Sequence, residues 1–460
     1  MEPRSLTYIA GSCNGELLHG SPAATVTGVC TDSRLARPGD LFIALAGEKF
    51  DGHNYLSEVA QKGVVAVVGE WEKLRNKAPG CAMIAVGNTR QALGSLAFRY
   101  RREFDLPVIV VGGSNGKTTT KELLASVARQ RFSALRSEAS FNNDIGVPMT
   151  LLKLERTHQT AVLEVGTNHP GELAPLVRMS APGMGVITSI GREHLEFFGD
   201  VNGVAEEEGW LAELLPPEGR LFVHGDSPEM EGIVRRTRAL VTRAGFGPRN
   251  DWRVLEARPD ESGVTFQVET VDPVFGGRYR VNLLGRHQVI NAVLAAAVGC
   301  ALGLTRGEIQ RGLADCAGAK MRMQSWMTKG VRVLDDAYNA NADSVLAALE
   351  TLKDYPCSGR RVAVLGEMAE LGRHSAEAHA EVGRNAAERS VDQLFAVGRM
   401  ASVVGAAARA AGLSQVVELS EAESAGDALR QFVKPGDVVL LKGSRVTRLE
   451  RVGEMLRCGE

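Results

Sequence analysis

The stretch Val108-Ile109-Val110-Val111-Gly112-Gly113-Ser114-Asn115-Gly116-Lys117-Thr118-Thr119-Thr120-Lys121 constrains this chain more than any other. Its four opening β-branched residues read as a buried strand. The segment after the glycines, Lys121 to Ala128, reads as a helix with Leu123, Leu124 and Val127 on one face. Strand, glycine-rich turn and helix together are the setting of a phosphate-binding loop. Gly112, Gly113 and Gly116 let backbone amides approach phosphate oxygens, with Ser114, Asn115 and Thr119 lining the same turn. The helix N-terminus adds a favourable field for an anion. Lys117 is expected to reach the terminal phosphates of a bound nucleotide and Thr118 to hold Mg²⁺.

Composition narrows the class. A chain of 460 residues suggests about three domains. A formal net charge of −2 offers no bulk attraction for nucleic acid or an anionic membrane. Seven scattered cysteines, with no CxxC pair, point to reduced thiols in a cytoplasm. No signal peptide is expected, because Met1-Glu2-Pro3-Arg4-Ser5 leads into no long apolar run. The apolar run from Ala292 to Leu304 is too short to span a bilayer, so no membrane insertion is expected.

Alternation of strands and helices divides the chain into three segments, 1–104, 105–317 and 318–460. In the first, Thr25 to Cys30, Asp40 to Leu45, Val64 to Val68 and Ala82 to Val86 read as strands. The polar loops Thr31-Asp32-Ser33-Arg34 and Gly47 to His53 lie beside strand ends and suit either a ligand or solvated turns. The second segment continues with strands at Thr160 to Val165 and Gly185 to Ile190, giving a doubly wound, mostly parallel sheet. Such sheets bind ligands at the carboxyl ends of their strands, where Glu164 and His194 fall. Val264 to Thr270 and Arg278 to Leu284 read as a hairpin. The third segment repeats the α/β rhythm, with strands at Val331 to Leu334, Val362 to Leu365, Leu394 to Val397, Val416 to Leu419 and Val438 to Leu441, and a closing helix from Arg445 to Leu456.

A nucleotide triphosphate needs cations and metal ligands around it. Thr118, Glu164 and His194 offer hydroxyl, carboxylate and imidazole. Magnesium prefers oxygen, so the histidine is the less usual ligand. The acidic run Glu206-Glu207-Glu208 reads by default as the first turn of a solvated helix. His287 and Asn291 share a helix face, and the amide could read an adenine edge or belong to a polar cluster at the helix start.

Val111 stands where the general phosphate-loop motif has its first glycine, and the compact form Gly113-Ser114-Asn115-Gly116-Lys117-Thr118 resembles the Mur ligase family of ATP-dependent amide-forming enzymes. The resemblance extends through Asn142-Asn143-Asp144-Ile145-Gly146-Val147-Pro148, Leu163-Glu164-Val165-Gly166-Thr167-Asn168-His169, His194-Leu195-Glu196 and Gly285-Arg286-His287. It continues in Asp335-Asp336-Ala337-Tyr338-Asn339-Ala340-Asn341, Gly366-Glu367-Met368-Ala369-Glu370-Leu371 and Lys442-Gly443-Ser444-Arg445. It implies a central P-loop domain flanked by a small N-terminal α/β domain and a C-terminal Rossmann-like α/β domain. It also implies ATP and Mg²⁺ as cofactors, and UDP-N-acetylmuramoyl-tripeptide and D-alanyl-D-alanine as partners of a monomeric enzyme. On the same footing, Lys117, Glu164 and His194 are catalytic. Ser33 and Arg34 lie near the uridine end of the sugar peptide, and Asn142 and Asn143 also serve the substrate. Asn291, Arg322, Asp336 and Asn339 fall at adenine and ribose contacts.

Three positions depart from the family's pattern. Gly112 replaces a common threonine, and Ala342 stands where proline is common. The resemblance places Glu208 at a lysine that the family carries as a carbamate; either this carboxylate replaces the carboxylate-like group, as a fourth metal ligand beside Thr118, Glu164 and His194, or the alignment slips by one residue within Glu206-Glu207-Glu208. Two other readings compete. Another amide ligase of this architecture, such as folylpolyglutamate synthase, would carry a different signature at 366–371. A nucleotide-binding regulator would show no amine-dependent ATP turnover.

Overall fold

A computed structural model describes residues 1–457. By compactness the chain forms two units, one of 1–110, 132–167 and 172–184, the other of 111–131, 168–171 and 185–460.

In the first unit a five-stranded sheet is ordered Glu16–His19, Ala82–Val86, Ala66–Glu70, Asp40–Ile43, Gly28–Cys30. Only Glu16–His19 runs antiparallel to its neighbour. Phe42, Leu56, Val59, Val64 and Val67 pack as its core. Thr25 to Cys30, expected as one strand, is two. Thr25–Val26 pairs antiparallel with Arg4–Ser5, while Gly28–Cys30 joins the sheet, because the Thr27 amide turns to the Gly39 carbonyl at 2.9 Å. The helix Thr89–Arg101 starts at Asn88, whose side chain accepts from the Gln91 amide, and it buries Ala92, Leu93, Leu96, Ala97 and Tyr100. Parallel strands Ala134–Arg136 and Thr160–Glu164 complete this unit beside the first residues of Val108–Gly112.

In the second unit, strands Met184–Ile187, Arg220–His224, Leu240–Gly245, Trp252–Asp260, Gly263–Thr270 and Gly277–Val281 are sheet neighbours in that order. The last two form the expected hairpin, paired antiparallel from Val264↔Val281 to Val268↔Gly277. A second sheet follows the order Gln324–Thr328, Val331–Asp336, Val438–Lys442, Arg361–Gly366, Gln393–Val397, Val416–Leu419. All its pairs are parallel except Gln324–Thr328 with Val331–Asp336. Val333, Val364, Val397, Val439 and Leu441 fill one of its faces. Each such side chain taken from water contributes about 1.5–3 kcal/mol.

Two helices differ from expectation. The one after the glycine loop begins at Lys117 rather than Lys121, because Thr118 to Thr120 are drawn into its buried first turn. Arg445 to Leu456 is broken, with a short 3-10 turn Arg445–Thr447, a left-handed Arg448 and then the helix Glu450–Arg457. Among the described residues no helix is long and apolar enough to cross a membrane.

Candidate active site

Val108–Gly112 ends in a loop whose shape is set by two glycines with positive φ, +107° at Gly113 and +88° at Gly116. A Cβ on Gly113 would meet the Thr188 hydroxyl at 2.6 Å, and one on Gly116 would meet Asn291 Oδ1 at 2.4 Å. Only glycine supplies both the backbone angle and the clearance. Ser114 is buried and seals the loop from behind, since its hydroxyl accepts the Gly191 amide at 2.9 Å and its own amide donates to the Ser189 carbonyl at 2.8 Å. Asn115 bonds Ser189 Oγ through its amide at 3.0 Å. Lys117 Nζ folds back to the Gly113 carbonyl at 2.5 Å and stands 3.4 Å from Glu193 Oε2. Thr118 and Thr119 are buried in the first helical turn.

Glu208 lies beneath this loop. The acidic run ends the helix Val201–Glu208 rather than beginning it, because Asp200 is the cap and accepts the Gly203 amide at 3.0 Å. Glu207 and Glu208 are therefore buried, and the expectation of a solvated first turn is overturned. Glu208 Oε2 accepts the Gly113 amide at 2.7 Å. Its Oε1 is buried without a hydrogen-bond partner among the described residues. Burial, opposed by Lys117 and reinforced by Glu193, pushes the Glu208 carboxyl up to about 7.

Asn291 is buried on the helix Gln288–Ala301 and touches the loop itself. It accepts from Thr120 Oγ1 at 3.2 Å and donates to Gln288 Oε1 at 2.8 Å. A second group forms at the strand ends of the third segment. Asp336 pairs with the buried Lys442 at 2.8 Å and accepts the Met323 amide at 3.0 Å. Lys442 also donates to the Asn339 carbonyl at 2.7 Å, while Arg322 lies over the Tyr338 ring at 4.2 Å. Burial lowers the Lys442 ammonium, and Asp336 opposes that shift.

Contacts that no sequence motif announced join these groups. Asn341 Nδ2 donates to Asn115 Oδ1 at 3.0 Å. The Arg192 guanidinium binds Asp343 at 2.7–2.8 Å and Glu381 at 2.5 Å, and the Arg192 amide also donates to Asp343 at 2.8 Å. His194 Nδ1 lies 2.5 Å from Glu370 Oε2, which holds the Glu370 carboxyl below the usual carboxylate range.

The remaining candidates lie in the first unit. Glu164, at the end of its strand, is buried and accepts from Asn142 Nδ2 at 2.9 Å. Asn143 instead caps local backbone, accepting the Gly146 amide at 2.9 Å. Ser33 and Arg34 form a 3-10 turn in which the exposed Arg34 pairs with Asp32 at 2.6 Å.

Among the described residues no three His, Cys, Asp or Glu side chains are clustered as a ready-made metal site. The donor chemistry of Thr118, His194 and Glu208 still suits a magnesium ion that keeps several waters, and the unpartnered buried Oε1 of Glu208 is one oxygen available for it.

A phosphate loop heading a helix, bonded through Asn115 to Asn341 at the start of a helix on a Rossmann-like sheet, defines a nucleotide-binding α/β architecture. The chain matches the Mur ligase family, catalytic domain, over residues 25–101, the Mur ligase middle domain over 111–299 and the Mur ligase, glutamate ligase domain over 321–445. It belongs to the Mur ligase family. Within the family it is 32% identical to the UDP-N-acetylmuramoyl-tripeptide--D-alanyl-D-alanine ligase of Bacillus subtilis (strain 168), over 98% of each chain. It is 31% identical to the ligase of the same name from Escherichia coli (strain K12), again over 98% of each. Among solved structures, MurF from Acinetobacter baumannii is similar over 99% of both chains, with 31% identity and a TM-score of 0.90. MurF from Thermotoga maritima, solved in complex with ADP, has a TM-score of 0.82 at 27% identity, over 94% of this chain and 97% of that one. The three-domain α/β fold, with its central mostly parallel sheet, is the fold of these MurF structures.

Proposed function

We propose that this chain is the ligase that joins D-alanyl-D-alanine to UDP-N-acetylmuramoyl-tripeptide, with ATP converted to ADP and phosphate, in the cytoplasmic synthesis of peptidoglycan precursor. The observation that carries this reading is similarity over 98% of both chains to ligases of that name, at 31–32% identity, with a formed phosphate loop at the expected place. Residues 1–104 would hold the sugar peptide, 105–317 Mg-ATP, and 318–460 part of the nucleotide pocket and the dipeptide, in a monomer.

In this reading the tripeptide carboxylate attacks the γ-phosphorus of ATP. ADP leaves and an acyl phosphate remains. The dipeptide amine then attacks the acyl carbon, loses a proton and expels phosphate, leaving the amide. Backbone amides of Gly116 to Thr119 cradle the phosphates at the head of the helix. Lys117 swings from the Gly113 carbonyl to the phosphate oxygens and offsets their developing charge. Thr118, His194 and Glu208 would hold magnesium, which when bound supplies Lewis-acid stabilisation of phosphate charge. Asn291, Arg322, Asp336 and Asn339 position the adenosine, with the Arg322 guanidinium lying over the Tyr338 ring. Ser33, Arg34, Asn142 and Asn143 serve the sugar peptide.

Phosphate release measured with UDP-N-acetylmuramoyl-tripeptide, with and without D-alanyl-D-alanine, tests the reading. Release that needs both substrates supports it. Release with glutamate or diaminopimelate in place of the dipeptide would assign another ligase of the family.

A further inference from the structure

His194 and Glu370 both sit in the left-handed backbone region, with φ of +49° and +59°. Side-chain-bearing residues rarely adopt it, and such residues cluster where geometry serves function. Here the two face one another, His194 Nδ1 against Glu370 Oε2 at 2.5 Å. The pairing is built from the backbone outward. The Glu196 amide donates to the Glu370 carbonyl at 3.0 Å, and His374 Nε2 lies 2.9 Å from the Gly199 carbonyl. Gly372, at φ +51°, would bring a Cβ to 3.1 Å from Glu196 Cα.

The Glu370 loop is also held from behind. The Met368 amide donates to His379 Nε2 at 2.9 Å, and the Ser444 hydroxyl donates to the Glu367 carbonyl at 2.6 Å. Glu370 therefore meets His194 from a loop fixed at both ends rather than from a free surface arm.

A carboxylate only accepts hydrogen bonds, so the proton of this contact sits on His194 Nδ1. The other ring nitrogen then points into the catalytic centre. His194 Nε2 lies 3.9 Å from Glu193 Oε2, beyond hydrogen-bond reach, and Glu193 in turn is 3.4 Å from Lys117 Nζ. Lys117, Glu193, His194 and Glu370 thus form one row from the phosphate loop to the third segment.

We propose that Glu370 is a positioning residue that holds His194 as the Nδ1–H tautomer and presents its Nε2 lone pair beside Glu193 and Lys117. The orienting group belongs to residues 318–460, so the imidazole is set only when that segment is docked on the turn at 194–199. This inference rests on the proposed ligase reading for the use made of His194, but its geometry does not.

The test uses the full-length, nucleotide-free protein with ¹⁵N-labelled histidine, and the His194 resonances are assigned by their loss in His194→Gln. The wild type is expected to show Nδ1–H at His194. Glu370→Ala should shift it toward Nε2–H, the form a free imidazole prefers, whereas Glu370→Gln, which keeps an acceptor oxygen, should retain Nδ1–H. In ligation assays Glu370→Ala should lower kcat by about 10–100-fold with little change in KM for ATP, as loss of a ligand-orienting partner does, and Glu370→Gln should recover most of it. An unchanged His194 tautomer in a folded Glu370→Ala protein overturns the proposal, as does an unchanged kcat. A tautomer shift in a protein that fails to ligate D-alanyl-D-alanine would uphold the positioning role and overturn the ligase reading instead.

Discussion

Glu208 Oε2 accepts the Gly113 amide at 2.7 Å, so the end of the helix Val201–Glu208 anchors the first turn of the phosphate loop. An amide that could have faced a phosphate is committed to a carboxylate, and the second oxygen of that carboxylate is left for other work.

This arrangement separates two substitutions. Glu208→Gln keeps an acceptor for Gly113 and should fold with wild-type thermal stability. It should lose most of kcat and respond more weakly to Mg²⁺, because a neutral amide is a poorer cation ligand. Glu208→Ala also strands a buried N–H, which costs about 1–3 kcal/mol, and should add a rise in KM for ATP. Thermal melts with Mg²⁺ titrations of turnover check both. The wild type should be indifferent to removal of bicarbonate, since Glu208 needs no modification. Unchanged kcat and Mg²⁺ response in Glu208→Gln would remove its metal role.

Lys117→Ala should abolish ligation while preserving the fold. The ammonium bonds the Gly113 and Ser114 carbonyls of its own loop and stands 3.4 Å from Glu193. Removing a preorganised charge from the transition state costs about 3 kcal/mol or more. Phosphate release beside an unchanged circular dichroism spectrum is the measurement, and near-normal turnover would defeat the phosphate-loop reading.

Arg34→Ala should raise KM for the UDP-sugar peptide far more than KM for ATP. Arg34 is exposed and its hydrogen bonds hold the Asp32 carboxyl at about 2, a pairing too open to water to matter for folding. Melting temperature should therefore stay put. An equal rise in both KM values would place the sugar-peptide site elsewhere.

His379 predicts an acid-sensitive loop. Its Nε2 must be unprotonated to accept the Met368 amide, and its Nδ1 lies 2.7 Å from the Ser375 carbonyl. Burial lowers its pKa in the folded state. The folded protein thus binds the proton less readily than the unfolded chain, whose histidines titrate near 6.5. The stability His379 contributes is present above that value and is lost as pH falls through it toward the lower folded pKa. Melting temperature measured from pH 7.5 to 5.5 should fall, and His379→Gln should fall less steeply.

Much of the fold was legible because buried parallel strands announce themselves as runs such as Val108 to Val111 and Val438 to Leu441. Trp252–Asp260 was not, because beyond Val254 charged Glu256, Arg258 and Asp260 interrupt it and it carries Pro259. The acidic run was misplaced because charge at a helix start is a common pattern, yet Asp200 was present as the better cap. Site residues inside one loop, Gly113 to Thr118, were readable as a unit. Arg192, Asp343, Glu370 and Glu381 were not assigned roles, because their meaning lies in pairings across 151 to 189 residues. His379 was missed for a simpler reason: a single histidine in a helix carries no motif.

The Arg192 clamp limits how this enzyme can be recombined. One guanidinium answers both Asp343 and Glu381, and the neighbouring imidazole answers Glu370. A chimera that imports the C-terminal segment of a relative inherits a lock cut for another key unless it brings all three carboxylates at matching positions. Divergence on either side of the seam therefore has to proceed in step, and exchange of whole segments between relatives is filtered by these three acids before substrate preference comes into play.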